Sequence, residues 1–266
     1  AAGVFKITGL FSQVQGAGET RIFSSIAEVG AINLATTGNI TFDGNITTQN
    51  TSLTGDVVLN NDPTIAANKI LVKGDVNAAG LVNIVRASQV EVLGTTTIAG
   101  SLTQLQGTLT SRFVGDLQAA GISLIVDNQA QFLGSVTATA AGNMFIASND
   151  IDFAGVVGSV SGTGSLTLAP KNVTQSIGIG SPTSGTYDLN FTDTHIAALA
   201  NGFSLITIGF STGADNTVTV GSSTFLDPLT IHAGKVGVDA LMIIDNLFAD
   251  GAMILAVQQG SVVVSE

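Results

Sequence analysis

Neither cysteine nor tryptophan occurs in this 266-residue chain, which also has one tyrosine, four prolines and two histidines. Without cysteine there is no disulfide framework and no thiolate chemistry, and no redox compartment is imposed. Charge is scarce too, at 10% of residues, and it is lopsided: eight basic against nineteen acidic residues give a formal charge of -11. Such a balance repels phosphate backbones, so no nucleic-acid partner is expected. Apolar runs such as Ala240–Ile244 fall far short of the 18 or so residues of a membrane-spanning helix, and no span is expected. Yet 45% of the chain is apolar, the reverse of a disordered composition. The chain must bury a core.

What is abundant is glycine, 32 residues, and its placement is periodic. Gly55, Gly74, Gly94, Gly115, Gly134 and Gly155 follow one another at intervals of 19, 20, 21, 19 and 21. Five of the six sit in one phrase, as in Leu53-Thr-Gly-Asp-Val57, Val72-Lys-Gly-Asp-Val76, Phe113-Val-Gly-Asp-Leu117 and Phe132-Leu-Gly-Ser-Val136; the copy at Gly94 is degenerate. A second glycine follows six residues later at Gly80, Gly100 and Gly121 and opens another apolar alternation. A period near 20 has room for one coil of short strands and turns, but not for a helix pair or a propeller blade. The fold class expected is therefore all-β: a right-handed parallel β-helix, or β-solenoid, of about 20 residues per coil. The glycines should form the corners, where a tight bend wants positive φ. Equivalent positions of stacked coils lie about 4.8 Å apart, so Phe113, Phe132 and Phe153 should form an internal aromatic ladder. One short surface helix is expected at Thr192–Gly202, capped by Thr192 or Asp193, with Ile196 and Leu199 on one face and Gly202 as its stop.

Chemistry is harder to find. Asp56, Asp75 and Asp116 share one position of the repeat and suggest calcium, but one carboxylate per coil is too sparse for six to eight oxygen ligands. No cofactor is expected. Asp150 with Asp152 and Asp188 with Asp193 are the pairs a glycosidase would need, although Ile151 and Phe153 read as a strand entering the core. Arg86 and Arg112, the bases a lyase would use, stand alone in polar contexts. His195 and His232 have neither a nucleophile motif nor a metal-spaced partner. Catalytic residues are thus expected to be none. The Asn-x-Ser/Thr triplets at Asn39, Asn45, Asn50, Asn172 and Asn190 fit chance in a chain rich in Asn and Thr. Thr95–Thr97 and Thr217–Val220 hint at an ice-binding array but do not recur with the period.

Past Ser165-Leu-Thr-Leu-Ala-Pro170 the chain changes character, with Ile177-Gly-Ile-Gly180, the segment Ile196–Gly209 and Phe225-Leu-Asp-Pro-Leu-Thr-Ile-His-Ala-Gly234. This succession, over roughly the last hundred positions, resembles segments of large bacterial exoproteins of the filamentous haemagglutinin type. The resemblance implies a β-helix, export, and a role as a secreted or cell-surface adhesin, biofilm component or filament. Three regions are expected: 1–40 as first coils, 41–165 as regular repeats, and 166–266 as a less regular continuation. Ala1-Ala-Gly-Val4 and Val262–Glu266 read as cuts in a longer rod or as processed ends. The function expected is a non-enzymatic structural or adhesive rod, whose partners are further coils or other copies, a carbohydrate or a surface receptor. The alternative is a carbohydrate-active β-helix enzyme.

Overall fold

The computed structural model describes residues 4–6, 8–154, 156–181, 186–243 and 245–264. The chain is all-β, 57% strand, and winds as a parallel β-solenoid of about 12 turns with about 20 residues per coil. It divides into two compact units, Ala1–Val136 and Thr137–Glu266.

In the first unit, alternation along each strand sends every second side chain inward, and the near-constant period stacks these into columns. One column runs Leu34, Leu53, Val72, Val92, Phe113, Phe132, each residue paired in register with the next. A second runs Ile40, Val57, Val76, Thr96, Leu117. A third runs Ile46, Ile65, Ile84, Gln104, Leu124. All of these are buried. The rings of Phe113 and Phe132 are 5.8 Å apart and within 7° of parallel. Gln104 enters an otherwise apolar column because its Oε1 accepts the Ser111 hydroxyl at 2.8 Å, so the polar pair satisfies half of itself inside the core. A narrow apolar void of about 50 Å³ remains between the columns, and the buried hydroxyls of Thr51 and Thr96, which line it, have no hydrogen-bond partner among the described residues.

In the second unit the inward columns are Met144, Leu166, Ile206, Leu229, Met253 and Ile146, Leu168, Ile208, Ile231, Leu255. A separate sheet carries Leu189, Ile177, Val218, Leu241, Val262 in register. Phe153 belongs to this unit and is buried. The paired residues are 22, 40, 23 and 24 positions apart from Met144 to Met253, so the regular period ends here. The 40-residue step contains the one helix of the described residues, Asp193–Ala197. The Thr192 hydroxyl caps it by accepting the His195 N–H, and Ile196 is buried beneath it. It stops at Ala198, short of Gly202, whose φ of 139° serves a separate turn.

Candidate functional site

Glycine marks the corners for a reason other than the bend. Among Gly55, Gly74, Gly94, Gly115 and Gly134, only Gly55 has a positive φ in the left-handed range, 130°. The requirement is steric: a Cβ on Gly74, Gly94, Gly115 or Gly134 would lie 2.5 Å from the carbonyl carbon of the glycine one coil below. Backbones therefore touch along a column in which no side chain fits. The column extends downward to Gly38 and Gly18, since a Cβ on Gly38 would stand 2.7 Å from the Gly18 carbonyl carbon. Gly155 lies outside the described residues.

The aspartates beside this column face the same way. Asp56 accepts the N–H of Asp75 at 3.0 Å, Asp75 that of Thr95 at 2.7 Å, and Asp116 that of Ser135 at 2.8 Å. Each carboxylate thus caps the backbone of the next coil, where the turn leaves an amide without a strand partner. A second corner uses the same device, with Asn45 accepting Thr64 N–H at 2.9 Å and Asp62 accepting Leu81 N–H at 2.7 Å. In the second unit, Asn143 accepts Ser165 N–H at 2.9 Å. Among the described residues, no three His, Asp or Glu side chains converge as a metal would require.

Asp150 and Asp152 project outward from one strand while Ile151 and Phe153 are buried between them. Asp188 accepts both the N–H and the hydroxyl of Ser176 at 2.8 Å. His195 stands 4.0 Å from Asp152 through Nε2, and its Nδ1 faces the Asn190 carbonyl at 3.3 Å. His232 is half-buried on the strand Leu229–Ala233, and burial lowers its pKa. Arg112 is not isolated. It reaches Glu91 one coil below at 2.9 Å and Gln131 one coil above at 3.0 Å, because intervals of 21 and 19 residues bring all three into one outward column. Arg21 forms a comparable bridge with Asp43 at 2.8 Å. Hydrogen bonds from Arg21, then from Asn60, hold the Asp43 carboxyl below its ordinary pKa. Of the Thr95–Thr97 cluster, Thr96 is buried and Thr97 has Asn77 and Gln118 as column neighbours, so no threonine array forms.

The second unit holds a feature that the period could not reveal. A surface cleft of about 310 Å³ is lined by Asp193, Ile196, Ala197, Ser222, Ser223 and Thr224. Thr224 pairs in register with Phe248, an aromatic ring that is 60% exposed.

Register, columns and corner caps together define a β-solenoid repeat protein. No family model, curated protein or solved structure matches the chain.

Proposed function

We propose that this protein is a non-enzymatic structural and adhesive rod on the outside of a bacterial cell, assembling end to end through its coil edges. One observation carries this reading. The strands Leu247–Ala249, Met253–Val257 and Ser261–Val264 pair on one side with Ser223–Phe225, Leu229–Ala233 and Asp239–Ile243, and no described strand occupies their other side. Met253, Val262 and Val264 continue the core columns of Leu229, Leu241 and Ile243, which are buried, yet they are themselves exposed. An apolar edge with unpaired N–H and C=O groups templates another strand unless something covers it. The complement is a further coil of a longer chain or the first coil of a second copy, where Leu10–Gln13 and Thr20–Ile22 likewise pair on one side only among the described residues and Leu10, Val14 and Phe23 are exposed.

The non-enzymatic part is supported by the engagement of the candidate residues, since Asp188 is held by Ser176 and the corner aspartates by backbone amides. Sedimentation velocity tests the assembly. Species larger than the monomer should persist at high salt, because backbone pairing and apolar burial are not screened. Val264→Asp should shift the population to monomer. A parent chain that is monomeric at every salt and concentration would overturn the reading.

A further inference from the structure

The cleft beside the helix Asp193–Ala197 combines apolar and polar lining, and an exposed aromatic residue stands next to one of its lining residues. Ile196 and Ala197 contribute apolar lining, and Asp193, Ser222 and Thr224 contribute polar lining. Among the described residues none of these three polar side chains has a hydrogen-bond partner. The neighbouring aromatic residue is Phe248, outside the lining itself and in register with Thr224. Because Thr224 and Phe248 are in-register partners on parallel strands, their side chains leave the same face about one strand spacing apart, roughly 4.8 Å. Phe248 and Phe23 are exposed, whereas Phe42, Phe132, Phe153 and Phe191 are fully buried.

We propose that this cleft binds a neutral pyranose of an extracellular polysaccharide. A sugar ring has an apolar C–H face and a hydroxylated edge, and each finds its complement here. The Phe248 ring offers a flat apolar platform for the C–H face. The Asp193 carboxylate, an acceptor with two oxygens, takes a pair of neighbouring hydroxyls in charge-assisted bonds. Ser222 and Thr224 hydroxyls both donate and accept, as the sugar's own groups do. A volume of about 310 Å³ sits at the lower end for small-molecule sites, which suits one or two rings of a longer chain entering from an open side. The choice of a neutral sugar follows from charge: Asp193 and a protein of net charge -11 repel uronates and sialylated chains. The inference deepens the adhesive part of the proposed function and rests on that reading for its setting outside the cell.

The test is calorimetric titration of the purified chain with cellotetraose, chitotetraose and mannotetraose, with a galacturonate tetramer as the acidic probe. At least one neutral tetramer should bind with a Kd of about 1 mM or tighter, and the acidic one more weakly. Phe248→Ala and Asp193→Asn should each weaken that binding by about tenfold or more, the value of one lost stacking contact or charged hydrogen bond. Both side chains are exposed, so the thermal midpoint should not move. Failure of all three neutral sugars, binding that survives both substitutions, or preference for the galacturonate would each overturn the site. Sedimentation of the same variants separates the two proposals: assembly retained with sugar binding absent rejects the cleft alone, whereas binding retained in a strictly monomeric chain rejects the end-to-end reading alone.

Discussion

Replacing Gly115 by alanine tests the glycine column where nothing flexible can yield. Its φ is not in the left-handed range, so alanine brings no backbone strain; on conformational entropy alone the change would stabilise by about 0.4–1 kcal/mol. The new methyl would lie 2.5 Å from the carbonyl carbon and oxygen of Gly94 and 2.7 Å from the amide nitrogen of Thr95. Ordinary carbon contacts begin near about 3.5 Å, so the coils must separate locally by about 1 Å. Next to this corner the Thr96 N–H to Asp116 bond is 2.7 Å and the Leu117 N–H to Ser135 bond 2.8 Å. Opening of that size takes one or both beyond hydrogen-bonding distance, at about 1 kcal/mol each, on top of about 1–3 kcal/mol for overpacking. Set against the entropic gain, a net loss of about 1–4.5 kcal/mol is expected from urea unfolding followed by far-ultraviolet circular dichroism. Gly18→Ala is the control, because a Cβ there meets nothing within 4 Å and should be neutral or mildly stabilising. A Gly115→Ala protein as stable as Gly18→Ala would refute the steric reasoning.

Phe132→Ala should lose about 3–5 kcal/mol in the same assay, since its ring is fully buried and stacks on Phe113. Thr96→Val should gain stability, by about 1 kcal/mol or more, because it removes a buried hydroxyl without a partner from an apolar column; a loss would show that the hydroxyl is satisfied after all. His232 has a pKa lowered by burial from 6.5, so the folded state binds its proton less readily than the unfolded chain does. Its contribution is present above pH 6.5 and is lost as pH falls below that towards the folded value; His232→Gln should flatten this acid-side decline in thermal midpoint, and an unchanged slope would reject the assignment.

The fold was legible because one physical constraint repeats. Coils that touch backbone to backbone admit only glycine at the contact, so the period is written directly in Gly55 to Gly134. Gly38 does not stand out in the sequence because it lies 17 residues before Gly55 and its phrase, Thr36-Thr-Gly-Asn-Ile40, lacks the apolar residue two places earlier. The aspartates were visible, but their service to the next coil's amides depends on the direction of the side chain at the corner, which spacing does not encode. Arg112 looked solitary along the chain, although its partners stand one period away on either side. The cleft was not legible. Between Leu166 and Ile206 a coil takes 40 residues, so no period remained to place Thr224 beside Phe248 or the helix against Ser222.

Electron microscopy of the purified chain tests end-to-end assembly most directly. Pairing of the Met253–Val257 and Ser261–Val264 edge onto the first coil of a second copy predicts unbranched filaments of constant width, present at low and high salt and shortened by Val264→Asp. Isolated particles at every concentration, or lateral sheets without axial growth, would contradict it.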